Sequence, residues 1–152
     1  MKILVSACLL GEPCRYDGKS KPCEAVLKLK ERHELIPVCP EVMGGLPTPR
    51  TPSECQPDGR VKNYRGEDVT EAYRRGAEAV FAIARETGCN LAILKERSPA
   101  CGKGRIYDGS FSKALTDGNG VCADLLIKKG IRVIGESRLD EEANLWEKWN
   151  NC

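Results

Sequence analysis

The stretch Ile3-Leu4-Val5-Ser6-Ala7-Cys8-Leu9-Leu10-Gly11 decides how this chain is read. Three consecutive large apolar residues with no polar alternation are the pattern of a strand buried on both faces, as in a parallel sheet. The run stops at Ser6, a cysteine follows two residues later, and Gly11 opens a Gly- and Pro-punctuated loop that reaches Lys21. The same order of events recurs downstream. Leu35-Ile36-Pro37-Val38 reads as a second short strand, with Cys39-Pro40 directly after it. Pro37 restricts that strand to a place where a missing N–H does no harm. Leu91-Ala92-Ile93-Leu94 is a third strand, with Cys101 seven residues beyond its end, and Ile131-Arg132-Val133-Ile134 is a fourth.

Helical patterns lie between these runs. Glu24 to Glu31 carries Ala25, Val26 and Leu29 and reads as a short helix. Val69, Ala72, Tyr73, Gly76, Ala77, Val80, Phe81 and Ala84 repeat at i, i+3, i+4, i+7 and predict a helix over 69–87. Asp68 with Glu71 resembles a capping box at its start, and Gly88 is placed for a left-handed stop. A further helix is expected from Asn119 or Gly120 to Lys129, closed by Gly130, and a C-terminal one over about 139–149. Residues 40–67, with five prolines and the pair Gly44-Gly45, read as one long irregular segment, which in a compact domain is usually functional or disordered. Strands alternating with helices predict an open, mostly parallel α/β sheet of about four strands with helices on both faces, Rossmann-like, in a single domain spanning 1–152. Ligands of such sheets bind beyond the carboxyl ends of the strands. Cys8, Cys39 and Cys101 all fall there, on one edge of the sheet.

Composition narrows the function classes. With 24 Lys and Arg against 22 Asp and Glu, the net charge of +2 makes no strong field for nucleic acid or an anionic membrane, so a long RNA contact is not expected. The first apolar run is too short for a signal-peptide core or a membrane span, and the expectation is a cytoplasmic protein. In 152 residues a core can form without staples, so the nine cysteines are not needed to hold a mini-fold. Nine is an odd number, and cytoplasmic thiols stay reduced, which argues against a disulfide framework.

Several cysteines have bland readings. Cys89 and Cys122 fall within or at the ends of helical patterns and read as small buried apolar residues. Cys152 ends the chain, and Cys23 and Cys55 lie in polar loops. Cys8, Cys14, Cys39 and Cys101 remain. Arg15 beside Cys14, and Arg97 and Lys103 beside Cys101, would favour thiolate, the metal-binding form. Structural zinc usually shows close pairs such as C-x2-C, and no two cysteines here are three apart. Dispersed ligands are tolerated by an iron–sulfur cluster without being diagnostic of one. Inert packing thiols remain the plain alternative at this point. Gly44-Gly45 reads as turn geometry, because neither dinucleotide-binding nor P-loop spacing occurs. His33, the one histidine, sits at a polar helix end and reads as a poor ligand candidate, and Trp146 and Trp149 read as core-docking rings. Tyr16, Tyr64 and Tyr107 lie in loops, where one could stack on a planar ligand.

Three segments carry more. Ser6-Ala7-Cys8-Leu9-Leu10-Gly11 with Cys14-Arg15-Tyr16-Asp17-Gly18, then Val38-Cys39-Pro40-Glu41 with Gly44-Gly45-Leu46-Pro47-Thr48-Pro49-Arg50, and Arg97-Ser98-Pro99-Ala100-Cys101-Gly102 resemble the TudS-type thiouracil desulfidase family. The resemblance runs through the chain, least so from about Glu136. It implies a 4Fe-4S cluster held by three cysteines, with the fourth iron open to the sulfur of a small thiolated nucleobase or nucleoside. The product would be uracil with hydrogen sulfide, formed without net redox change. Relatives with an extra domain carry valine at the place of Cys14 and keep the others, which points to Cys8, Cys39 and Cys101 as ligands and leaves Cys14 as a tuning neighbour or spare sulfur acceptor. The resemblance also singles out Glu41 as general base or proton shuttle and Ser98 as the residue that orients substrate or shares the proton; a plain loop carboxylate at Glu41 and a turn residue before Pro99 at Ser98 are the bland alternatives. Arg15, Asp17 and Arg50 are divided between contact with a pyrimidine and structural pairing. A non-catalytic iron–sulfur or redox-sensing module is the alternative reading. Oligomeric state is not encoded in these motifs.

Overall fold

A computed structural model describes residues 1–139 of the chain, so the helix expected over about 139–149 lies outside the described residues. Four strands form a parallel sheet: β1 (Lys2–Ser6), β2 (Glu34–Val38), β5 (Leu91–Leu94) and β8 (Arg132–Gly135), in the order β2-β1-β5-β8. β1 pairs with β2 from Lys2↔Glu34 to Ser6↔Val38, and β5 with β8 from Leu91↔Arg132 to Leu94↔Gly135. β2 is an edge strand, which is how Pro37 is accommodated. The chain leaves β1 in one direction to reach β2 and then crosses to the other side for β5. The order of strands therefore reverses between β1 and β5, the place where such sheets open a crevice.

Two hydrophobic clusters cover the faces. On one, Leu4, Ala92, Leu94 and Val133 meet Tyr73, Ala77 and Val80 of α3 (Thr70–Thr87) and Cys122 and Leu126 of α4 (Val121–Lys128). On the other, Ile3, Val5, Leu91, Ile93 and Ile134 meet Val26 of α1 (Glu24–Lys28), Leu9 and Leu139. The alternation in β1 and β5 explains why Ile3-Leu4-Val5 and Leu91–Leu94 are unbroken apolar runs: both faces are covered. The α/β architecture with helices on both faces agrees with the expectation.

The structure corrects the long irregular segment. Residues 40–67 hold a single helical turn, α2 (Pro40–Met43), and an antiparallel hairpin of β3 (Ser53–Cys55) and β4 (Val61–Asn63). A second hairpin, β6 (Arg105–Tyr107) with β7 (Leu115–Asp117), lies between β5 and α4. These elements are three or four residues long, too short for periodicity to register. The start of α3 also differs. Asp68 Oδ1 accepts the N–H of Thr70 at 2.9 Å and its hydroxyl at 2.6 Å, while Glu71 pairs with Arg74 at 3.1 Å rather than reaching back. The result is a local turn latch instead of a reciprocal capping box. Gly88 takes the left-handed conformation expected of it, at φ 73°.

Candidate active site

The ends of β1, β2 and β5 carry Cys8, Cys39 and Cys101 to one cavity of about 470 Å³, which Cys14, Glu41 and Ser98 also line. Each cysteine is positioned by its own local device. Cys8 lies in the 3-10 turn Ala7–Leu10, and its carbonyl accepts the N–H groups of Gly11 at 3.3 Å and Lys21 at 2.9 Å, folding the following loop back over it. Cys39 caps α2, whose first residue, Pro40, needs no hydrogen-bond acceptor. Cys101 closes a turn in which Ser98 Oγ accepts the N–H groups of both Ala100 and Cys101 at 3.1 Å. The start of α4 docks on that turn: the N–H groups of Val121 and Cys122 donate to the carbonyls of Pro99 and Ala100, each at 2.9 Å. A Cβ on Gly120 would lie 2.5 Å from the Ala100 carbonyl carbon, so glycine is what lets the helix approach.

The thiols act on one another. Cys14 stands in hydrogen-bond contact with both Cys39 and Cys8. The bond from Cys39 favours its thiolate, but the bond to Cys8, burial and the nearby charges outweigh it and push the Cys14 thiol up to about 11. Cys39 is held higher still by its bond to Cys14 and by burial, with the Val42 N–H pulling the other way. Burial raises Cys101 well above the usual thiol range, the neighbouring Cys122 adds to this, and a hydrogen bond from Ser6 opposes it. Without a bound cation Cys14, Cys39 and Cys101 are held as thiols; a metal centre that binds thiolates would release the protons of its ligands.

Among the described residues no three Cys, His, Asp or Glu side chains converge as they would around a single metal ion. The donor chemistry nonetheless fits a cluster. Soft sulfurs predominate, they come from three strand ends rather than a close pair, and a cluster presents its irons at separated corners. The cavity volume is in the range that holds a group of that size together with a small ligand.

Glu41, on α2, is held from behind. Its Oε2 accepts the Tyr73 hydroxyl at 2.6 Å and Arg50 Nε at 3.3 Å. Among the described residues Oε1 receives no such bond. Burial, then the Glu41 carboxylate, raise Tyr73 far above the usual phenol range, so its proton stays in place and is donated. Arg50 also lines the cavity, but four of its five N–H donors go to protein groups: besides Nε to Glu41, Nη1 donates to Pro47 O and Thr48 Oγ1, and Nη2 to Cys14 O at 2.9 Å. It is a structural clamp joining the Cys14 loop to α2.

Ser98 lines the cavity, and its oxygen builds the Cys101 turn. Arg15 and Arg97 line the cavity, with Arg15 stacked on Tyr16 at 5.9 Å; Asp17, Lys103 and His33 do not line it. Asp17 Oδ1 instead accepts the Lys19 N–H at 3.0 Å within its own turn. Cys89 and Cys122 are buried small residues, as expected, and Cys55 belongs to β3, with its sulfur 3.4 Å from Pro99 O. Sequence reasoning missed two residues. Ser6, read only as a strand end, accepts the Lys95 N–H at 2.8 Å and bonds to the Cys101 sulfur. Tyr73, read as one of the apolar stripe of α3, carries the hydroxyl that holds Glu41. A buried serine at the end of an all-apolar strand was the available signal for the first. For the second there was none, since its partner is 32 residues away.

The comparisons with known proteins bear on this geometry. A family model for 2-thiouracil desulfurase matches residues 3–138. The uncharacterized protein YbbK of Bacillus subtilis (strain 168) is 42% identical over 148 residues, covering 91% of this chain and 98% of that one. A solved structure of a 4Fe-4S-dependent thiouracil desulfidase, TudS, superposes with a TM-score of 0.90 at 44% identity, covering 96% of this chain and 97% of that one. The segments that build the cavity lie within residues 3–138, and the chain belongs to the 2-thiouracil desulfurase family.

Proposed function

We propose that this chain is an iron–sulfur-dependent desulfidase that converts thiouracil, or a close thiolated pyrimidine base or nucleoside, to uracil and hydrogen sulfide in the reducing cytoplasm. The balance is hydrolytic: the oxygen of one water replaces sulfur on the ring carbon, and its two hydrogens leave with the sulfur. The observation that carries this reading is a single cavity in which four thiols meet a carboxylate with one oxygen uncommitted. Cys8, Cys39 and Cys101 are the proposed ligands of a 4Fe-4S cluster, because each follows its own strand of the sheet. A cluster bound there would supply, at an iron without a protein thiolate, a Lewis-acidic site for the thiocarbonyl sulfur.

The residues of the chain do the rest. Glu41 Oε1 accepts a proton from the water that adds to the ring carbon, while Tyr73 and Arg50 fix the other oxygen so that the carboxylate does not turn away. Ser98 Oγ is already occupied as an acceptor by two backbone N–H groups, which leaves its own hydrogen to donate to substrate.

Anaerobic reconstitution with iron and sulfide, followed by incubation with 2-thiouracil and 4-thiouracil, tests the reading. The expected result is about four irons per chain, with uracil and sulfide released in equal amounts. Cys8→Ala, Cys39→Ala and Cys101→Ala lose the cluster, and Cys14→Ala retains it. A sample loaded with cluster that releases neither product would refute the desulfidase reading and leave the non-catalytic cluster module.

A further inference from the structure

The two small hairpins add nothing to the four-stranded sheet, yet both deliver an aromatic ring to the cavity mouth. Tyr64 follows β4 and Phe111 sits between β6 and β7; both line the cavity, their ring centroids 5.6 Å apart at 78°. In such an edge-to-face pair, the ring that offers its edge keeps both faces open. Tyr64 is 70% exposed, a large aromatic surface left to water. Tyr16 also lines the cavity, but Arg15 already lies over its ring.

Both turns are held with unusual care for surface loops. Asn63 Oδ1 accepts the N–H groups of Arg65 and Glu67 at 3.0 Å, its amide donates to Glu67 at 3.2 Å, and the Tyr64 N–H is bound by Pro52 O at 2.9 Å. Across the gap, Glu54 Oε1 accepts the N–H groups of Gly109 at 3.0 Å and Phe111 at 3.1 Å, and Gln56 donates to Gly109 O at 3.3 Å. These bonds hold Phe111 at φ 57°, a left-handed conformation that is an outlier for an aromatic residue. Conformations of this kind persist where surrounding structure over-determines them, and they collect at ligand sites.

We propose that Tyr64 and Phe111 form a rigid aromatic lip in which one ring stacks on the face of the substrate's pyrimidine and the other, set at 78° to it, meets the pyrimidine edge, while the sulfur points to the thiols below. The inference rests on the desulfidase reading for the identity of the ring. It concerns binding alone and assigns the lip no part in proton transfer.

The test uses the reconstituted protein with two measurements, calorimetric binding of uracil and steady-state turnover of 2-thiouracil. Tyr64→Ala removes an exposed ring. Phe111→Gly removes the other ring and keeps the backbone, because glycine adopts positive φ readily. Loss of the stacking ring is expected to raise the dissociation constant for uracil and the KM for 2-thiouracil about ten-fold, the order of one lost base–aromatic stack, so at least one of the two substitutions shows it and the other a smaller rise. The effect falls on KM rather than kcat, and Tyr64→Phe recovers most of the affinity lost in Tyr64→Ala. Constants within about two-fold of the unsubstituted protein in both variants, against that expected stacking loss, would overturn the lip. Lip-dependent uracil binding in a protein that releases no sulfide would uphold the lip while removing the desulfidase reading. Sulfide release with no dependence on either ring would do the reverse.

Discussion

Glu41 shows how much of this site depends on side chains that hold another in place. Both donors to its side chain converge on one oxygen, from the buried Tyr73 hydroxyl and from an Arg50 side chain only 5% exposed. A carboxylate held by one oxygen presents the other in a fixed direction, which is what a general base requires. Tyr73→Phe keeps the buried ring and removes only the 2.6 Å bond. Hydrogen bonds to charged groups contribute about 1.5–3 kcal/mol. The expected outcome is a fall in kcat of about ten-fold, with iron content and KM for 2-thiouracil held. A Tyr73→Phe protein with unaltered kcat would mean that Arg50 alone orients the carboxylate. The cysteines were legible in the sequence because a thiol just past a buried strand has a definite place in a parallel sheet. The hydroxyl of Tyr73 was not, because its spacing on α3 is that of an apolar stripe and its partner is on another element.

The elements that hold these residues meet more closely than ordinary helices do. α2 packs on α3 through two glycines: a Cβ on Gly76 would lie 1.8 Å from Pro40 O, and one on Gly44 would lie 2.0 Å from Ala72 O. That contact sets the distance between Tyr73 and Glu41, which are carried by the two helices. In a helix interior Gly→Ala ordinarily stabilises by about 1 kcal/mol, so Gly76→Ala tests packing against propensity. The clash is with backbone and cannot be relieved by a rotamer change. Thermal denaturation should show Gly76→Ala destabilised by at least about 2 kcal/mol, with desulfidation reduced further than stability alone explains. A stabilised Gly76→Ala protein would show that α2 moves freely and that the contact does not set the site. The sheet strands and α3 were readable from apolar runs and the 3.6-residue period. α2 and both hairpins were not, since three or four residues carry no period, and what holds them is contact with distant segments such as Glu54 with Gly109.

Across the whole molecule, the proposed ligands come from three adjacent strands of one sheet but from positions 8, 39 and 101 of the sequence. A cluster bound by them would add a tie between loops that Arg50 and the thiol contacts already join in part. The core does not need it. Hydrophobic clusters cover both faces of the sheet, and a chain of this length buries enough apolar surface to fold by itself. The buried thiols are also easily kept neutral, since burial raises Cys101 and the thiol contacts raise Cys39, so an empty site strands no charge in the interior. The cluster-free chain should therefore keep its far-ultraviolet dichroism and unfold cooperatively, at a lower Tm than the loaded chain, because a group that binds only the folded state stabilises it by mass action. Hydrogen exchange should locate the difference in the segments 8–16, 39–50 and 96–104, with β1, β5 and α3 protected equally in both forms. Collapse of the cluster-free protein to an unfolded state would show that the metal centre, rather than the packed sheet, specifies this fold.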